Sequence, residues 1–545
     1  MSKLEVADFM SLDLEFTGVP RELALQTETP MELYHKHIVC ANSNTIIQLG
    51  VSIFTRDQTV ISENHEHYNA HTFVFYLHPS SYNQKIFREY TCNVGSIEYN
   101  VKAGGVDFNK WICEGIPYYN KRMQTQLKTA IYRNKILDLN DYQKTTEKID
   151  KEAKAANENT NGAELFYDKE HFKVIEKLIE EFGEWAKTAE EGSEYKLDET
   201  KYFAKRYFVE KVKGANKAAF ERILTIEEKT SEDKYIYKFI KCTPENKAGY
   251  LKDISDGLDR EFEDALGFSF SWELIKKCVQ QRQIPVIGHQ CFLDFMYIMS
   301  HFENRLGNAY LQFKKELNEI FPIIYDTKNI SKVFGLESHL EELFEKAKGL
   351  EPGHKKITYK MANKIDEEGK FVAHNAGYDS YLTGAVFLEM KARLPDINTH
   401  QNVLNLFRNK FYLVSLSAQK DIPRIEHAVV FHPKKSEDGP DSIKVVIKEN
   451  AKTAMNQEEE RKEKFVKSLT ELCAKGLENS FTLFSHKQLN IFNYDRCYFV
   501  KFDKLHNMDL LIDTYGKDFK ILTLEEHFDT ILAAFQENVY RSSNN

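Results

Sequence analysis

Four acidic residues and one histidine, spread over three short segments, hold the types needed for metal-assisted hydrolysis. The first segment is Phe9-Met-Ser-Leu-Asp-Leu-Glu-Phe-Thr-Gly18, the second Pro285-Val-Ile-Gly-His-Gln-Cys-Phe-Leu-Asp294, and the third His374-Asn-Ala-Gly-Tyr-Asp379. Together they supply Asp13, Glu15, Asp294 and Asp379, carboxylates for two divalent cations, and His374, a base for an attacking water. A neutral imidazole accepts a proton near pH 7.

The elements that must position these groups can be read locally. Met10, Leu12, Leu14 and Phe16 alternate with Ser11, Asp13 and Glu15. A period of two predicts a strand over 9–16, with Asp13 and Glu15 on one face. Two strand residues advance roughly 7 Å. Two carboxylates that far apart repel by roughly 2 kcal/mol at an effective dielectric of ~20, and a cation between them reverses the sign. Further strands are predicted over 45–54 and 71–78. A helical stretch ending near Gln283 leads into the apolar run Ile284 to Ile287, which Gly288-His289 breaks. Asp294 then falls on a predicted helix from Cys291 to Phe302 whose buried side carries Phe292, Phe295, Met296 and Met299. His374 stands just before another helix, with Asp379 in or near its first turn and Asn375 and Gly377 suited to a tight start. Taken singly, each segment also has an ordinary reading: a strand face with two solvated acids, an Asp at a helix dipole, a core or turn histidine at His289.

Their order is more specific. Asp-x-Glu, then Gly-His-x4-Asp, then His-x4-Asp resembles the histidine-bearing branch of the DEDD exonucleases, and most closely the poly(A)-specific ribonuclease family, PARN. Gln48-Leu-Gly50, Val106-Asp-Phe-Asn-Lys110, Gly115-Ile-Pro-Tyr118, Ala265-Leu-Gly-Phe-Ser269, Asp326-Thr-Lys328 and Asn409-Lys-Phe411 extend the resemblance over roughly residues 5 to 415. It implies an α/β fold: a ribonuclease H-like DEDD exonuclease core, a mixed sheet flanked by helices, with a small α/β insert and a C-terminal RRM-like α/β module. It implies a Mg²⁺-dependent 3′→5′ exoribonuclease acting on A-rich RNA 3′ ends, with Mn²⁺ able to substitute. Asp13, Glu15, Asp294 and Asp379 would hold two metals on the order of 4 Å apart, and His374 would take the proton of the attacking water. By the same resemblance Phe16 would contact the terminal nucleotide, although its parity points it away from the acids. Lys328 would contact phosphate or the terminal base, its alternative being a surface lysine. A homodimer is implied as well. The competing class is non-enzymatic, a fold of this family serving as an adaptor in a larger assembly.

Length and composition agree. A chain of 545 residues implies several domains, and an apolar content of 42% supplies a substantial core. The eight cysteines show no CxxC pair, so neither a structural zinc nor a disulfide framework is predicted. No run approaches the ~20 apolar residues that span a bilayer, and the N-terminus carries no signal-peptide core. The expectation is an intracellular protein, nuclear and/or cytoplasmic, with no membrane partner. A net charge of −9 argues against an indiscriminate nucleic-acid coat while leaving room for a local basic track. Lys121, Arg122, Lys128, Arg133 and Lys135 would line such a track or form a solvated helix face.

Four stretches are predicted: 1–145, the first part of the core; 146–245, a linker plus a single-strand-binding-like insert; 246–400, the second part of the core; and 401–545, the C-terminal module. The insert opens with an amphipathic helix carrying Phe172, Ile175, Leu178, Ile179, Phe182 and Trp185. A second helix is expected near 198–212, then a strand at Tyr235-Ile-Tyr-Lys-Phe-Ile240. In the family this insert has an Arg-xxx-His signature. Here Arg206 is followed at that spacing by Glu210. In the C-terminal module Tyr498-Phe-Val-Lys-Phe502 is the candidate central strand. Arg496 and Cys497 occupy the place of the expected glycine, and Phe499 and Phe502 alternate poorly as base-stacking residues. The tryptophans are Trp111, Trp185 and Trp272, none after residue 400. Cap stimulation through a tryptophan of this module is therefore not expected; packing on the core or on a partner is.

Overall fold

The computed structural model describes residues 2–20, 27–59, 65–82, 86–132, 169–197, 222–229, 235–351, 356–363, 374–424, 428–433, 481–486, 497–502 and 519–543, with a few isolated positions between them. The expected linker at 146–165, the helix near 198–212 with Arg206 and Glu210, and the basic residues Arg133 and Lys135 lie outside the described residues, apart from Phe208. The chain divides into two compact units, one of residues 1–79, 89–120 and 271–545, the other of 80–88 and 121–270.

The first unit is built on a mixed sheet. Strand β1, Phe9–Phe16, pairs antiparallel with β2, Ile46–Arg56, which pairs antiparallel with β3, His65–His78. The expected alternation in β1 holds: Asp13 lies opposite Gly50 and Glu15 opposite Gln48. β3 begins earlier than its sequence pattern predicts. Its first half runs parallel to a sequence-distant strand, Lys356–Met361, from His65 opposite Lys356 to Ala70 opposite Met361, so its extent is set by a partner that no local window contains. β3 also pairs with β4, Ile116–Pro117. On its other edge β1 runs parallel to Val286–Gly288, which runs parallel to Ile324–Asp326.

The helix Ala376–Lys391 lies across this sheet, and its residues are buried on nearly every face. Small and polar residues make that approach possible. Ser11 Oγ donates to the Ser380 carbonyl at 2.6 Å, and the Ser52 and Ser380 hydroxyls meet at 2.8 Å. An added Cβ on Gly384 would sit 2.2 Å from the Phe54 ring. Around this seam Phe9 stacks on Phe54 at 4.6 Å and meets Phe387 edge-on at 5.3 Å, within a cluster that includes Tyr68, Ile287, Tyr325 and Val386. Each such side chain contributes about 1.5–3 kcal/mol on burial.

The closest approach is at Gly50, where a Cβ would stand 1.8 Å from the Ala376 carbonyl oxygen. Backbone on both sides leaves nothing to give. Gly50→Ala is therefore expected to destabilise the protein by on the order of 3 kcal/mol and to displace the helix start that carries Asp379. Urea unfolding and RNA cleavage, measured together, check this: both should fall, and a wild-type midpoint would contradict the packing.

Among the described residues the unit has two further sheets. Val403–Leu404, Tyr412–Ser415 and Ile422–Pro423 form a small antiparallel sheet. The four-stranded one has the order Phe481–His486, Cys497–Phe502, Ala428–Pro433, Phe519–Thr523, all antiparallel. Cys497–Phe502 is paired on both sides, as expected for a central strand. Phe411 and Tyr412 share a core with Val430, Leu524 and Phe528, the last two on the helix Leu524–Ser543, so this module packs on the residues that precede it.

In the second unit Ile223–Lys229 and Glu194–Leu197 flank Tyr235–Lys241 in an antiparallel sheet. The amphipathic helix, Lys169–Thr188, packs Phe182 and Ala186 with Leu197, Phe208, Ile223 and Phe239. Lys121, Arg122 and Lys128 fall on the helix Lys121–Tyr132. Lys128 pairs with Asp259 at 3.7 Å and lies over the Tyr132 and Phe262 rings, which favours the helix-face reading of that residue. Among the described residues no helix is long and apolar enough to cross a membrane.

Candidate active site

The two acids of the first segment project from β1 together. Where β1 extends past its two-residue pairing with Val286–Gly288, the Leu14 N–H is taken by the Asp294 carboxylate. Asp294 reaches that point through a tight turn. Gly288 has no room for a side chain, since a Cβ would meet Cys291 Cβ at 2.3 Å. Gln290 takes φ +57 and donates its N–H to Asp326 Oδ1 at 2.8 Å. The helix then starts at Phe292 and places Asp294 in its first turn. His289 is half-buried and held in place: its Nδ1 lies 2.9 Å from Thr327 Oγ1, and desolvation pulls its pKa down to about 3.

The expected helix from Cys291 to Phe302 is two pieces, an α-helix Phe292–Ile298 and a π-helical turn Met299–Glu303. The widened turn carries Glu303 inward, where Trp272 Nε1 and Lys276 Nζ both donate to it at 2.7 Å.

His374 and Asp379 arrive on the third segment. Asn375 caps the helix by accepting from Gly377 and Tyr378. His374 precedes it in the left-handed region, φ +64, a conformation an L-residue takes only when its surroundings impose it. Here the His374 N–H donates to Asp379 Oδ2 at 3.0 Å, and the His374 carbonyl packs so closely on Gly104 that a Cβ there would stand 2.4 Å away.

These segments converge. One ligand-capable atom from each of Glu15, His374 and Asp379 lies within 4.8 Å of the others. Asp13 is held well above the usual carboxylate range, by burial first and then by the charges of Asp379, Asp294 and Glu15. Glu15 is raised by burial and by Asp379 and Asp294. Burial lifts Asp294 and Asp379 to about 7, helped by Asp326 in the first case and Glu341 in the second, with backbone N–H groups pulling the other way. Among the described residues none of the four acids has an ion-pair partner within 4.0 Å. His374 is lowered below its ordinary value by burial, which favours the neutral ring.

Phe16 stacks on Tyr297 with ring centroids 4.0 Å apart, and Asn100 Nδ2 donates to its carbonyl at 2.9 Å. Lys328 donates to the Ser338 carbonyl at 2.7 Å. Sequence reasoning passed over Tyr99, whose hydroxyl lies 2.6 Å from His374 Nε2. A lone tyrosine on the short helix Val94–Lys102 carries no chemical signal. It also left Asp326 without a role. Asp326 is fully buried and accepts from the N–H groups of Gln290, Lys328 and Asn405, so it braces the second segment. The Asp-Thr-Lys pattern at a helix start was the signal available.

The chain is similar to several known proteins. Poly(A)-specific ribonuclease PNLDC1 of Mus musculus is 26% identical over 406 residues, covering 70% of this chain and 67% of that protein. Poly(A)-specific ribonuclease PARN of Xenopus laevis is 24% identical over 77% of this chain and 65% of its own length. The chain thus spans about two thirds of the length of these curated relatives. A solved structure of S. pombe Pop2p in its Mg²⁺- and Mn²⁺-bound form aligns at 16% identity and a TM-score of 0.32, covering 75% of this chain and 92% of that one. The model of the CAF1 family ribonucleases matches residues 1–387 of 545, and the chain therefore belongs to the CAF1 family of ribonucleases.

Proposed function

We propose that this protein is a Mg²⁺-dependent 3′→5′ exoribonuclease that removes nucleotides from the 3′ ends of RNA, preferentially A-rich ones. The observation that carries the reading is a set of four acids, Asp13, Glu15, Asp294 and Asp379, in which the charges of Asp294 and Asp379 raise Asp13 and Glu15 and, among the described residues, no ion-pair partner lies within 4.0 Å. Hard carboxylate oxygens in such a set suit Mg²⁺, with Mn²⁺ as an alternative. These four residues would hold two metals, which when bound supply charge neutralisation at phosphate and an activated water.

The chain's own groups then have separate tasks. The Leu14 N–H holds Asp294, and the His374 N–H holds Asp379, so two of the four carboxylates are oriented by backbone. His374 takes the proton of the attacking water on its ring, kept neutral by burial. Tyr99 holds that ring through Nε2. Orientation and charge suffice because phosphoryl transfer asks mainly for positioning and electrostatic stabilisation.

The preference for A-rich ends rests on the names of the relatives, both poly(A)-specific ribonucleases. The core is read as ribonuclease H-like from its sheet, three antiparallel strands followed by two parallel ones, and the C-terminal module as RRM-like from its antiparallel strand order. Action inside the cell and pairing as a homodimer rest on the family resemblance.

Incubating the full chain and Mg²⁺ with 5′-labelled RNA bearing different 3′ ends tests the reading. A ladder shortening from the 3′ end, fastest on oligo(A), is expected. Capped and uncapped RNA should be degraded at similar rates, since no tryptophan follows residue 400 to stack on a cationic cap base. Absence of shortening on every substrate would sink the enzyme reading and favour an adaptor role.

A further inference from the structure

Asp326 stands between two charged groups of opposite kind. It is close enough to Asp294 to raise that acid, and close enough to Lys328, Lys332 and Arg424 to favour their charged forms, as Glu337 does too. Its own oxygens are already used by backbone N–H groups. The three cations are only partly exposed, yet among the described residues no carboxylate lies within 4.0 Å of any of them. Lys332 Nζ donates to Asn405 Oδ1 at 2.9 Å, and Arg424 Nη2 donates to that same oxygen. Arg424 Nη1 donates to the Asn409 carbonyl at 3.0 Å, while its Nε is buried with no hydrogen-bond partner. The carboxylates that act on them, Asp326 and Glu337, stand beyond ion-pair distance, and the side-chain partner that Lys332 and Arg424 share is one neutral amide oxygen. Burial and the charge of Arg424 pull Lys332 down to about 8, while Glu337 and Asp326 act in the opposite direction.

The loop between Asn405 and Asn409 is held by Arg424 at both ends. It presents Phe407, 49% exposed, with the Arg408 guanidinium 5.1 Å from the ring centroid. Cations beside an open aromatic ring match a nucleic-acid strand, whose phosphates need charge and whose unpaired bases need a face to stack on.

We propose that Lys332 and Arg424, with Lys328 beside them, form a subsite for a backbone phosphate of single-stranded RNA, and that Phe407 takes a neighbouring base. The subsite rests on the exonuclease reading for its place beside the acids, but its test does not need turnover.

The full chain carrying Asp13→Asn is titrated with a fluorescein-labelled oligo(A) of about twelve nucleotides, and anisotropy is followed across salt concentrations. Lys332→Gln and Arg424→Gln are each expected to weaken binding on the order of tenfold at low salt and to flatten the log K against log salt slope by about 0.7. Phe407→Ala should weaken binding and leave the slope unchanged. Arg424 also braces a loop, so Lys332→Gln, with a half-buried side chain and one bond to Asn405, is the deciding variant. Unchanged affinity and slope in Lys332→Gln would overturn the subsite. So would an equal loss for adenosine monophosphate, which would make this a mononucleotide site. A wild-type chain that never shortens RNA, beside a Lys332→Gln variant with the flattened slope, would sink the exonuclease reading and keep the subsite. Normal shortening with an unchanged slope would do the reverse.

Discussion

Asp13→Ala and Asp379→Ala are each expected to abolish hydrolysis of A-tailed RNA while leaving the protein folded. Each removes one of four acids that already destabilise one another, so the metal-free variants should be as stable as the wild type or more so. The direction with pH follows from the raised carboxylates. Asp294 and Asp379 titrate at about 7 in the folded chain, against about 4 in an unfolded one. Between those values the folded state holds protons that the unfolded state has released, so the metal-free wild type should lose stability as pH rises from about 4 to about 7. Asp379→Asn should flatten that loss. Thermal unfolding in a chelator across this range measures both effects. Turnover near the wild-type rate in either alanine variant would remove these residues from the active site.

His374→Ala should slow cleavage by roughly 10²–10⁴-fold, the usual contribution of a positioned acid–base group. Metal binding should survive, because the proposal gives His374 no ligand role. The geometry makes this a strict test, since its ring lies within ligand distance of Glu15 and Asp379. Calorimetric titration with Mn²⁺ separates the two roles. If the variant loses a metal, His374 is a ligand and the proton acceptor must be sought elsewhere. Tyr99→Phe serves as the companion: it keeps the ring in place sterically and removes only the hydroxyl that meets Nε2, so its rate should lie between those of wild type and His374→Ala.

What could be read in the chain were the groups whose spacing encodes local geometry. The alternation in 9–16 put Asp13 and Glu15 on one strand face, and the structure has that strand with those bounds. Asn375 and Gly377 announced a capped helix start, and Asp379 sits in its first turn. The amphipathic period after residue 169 marked the helix that carries the core of the second unit. Each of these follows from interactions within a turn or two of chain, where residue type and backbone geometry are directly coupled.

Tertiary structure decided what lay beyond that range. The early start of β3 depends on pairing with Lys356–Met361. The π-helical turn after Ile298 depends on Trp272 and Lys276 reaching Glu303. Tyr99 meets His374 because two glycine-permitted approaches, at Gly50 and Gly104, bring sequence-distant backbones into contact. The sharing of Asn405 by Lys332 and Arg424 likewise joins residues far apart in the chain. Residue types and local periods specified which groups could do chemistry. Close packing, which has no sequence period, decided which of them meet, which acids repel one another, and which cations share one amide oxygen.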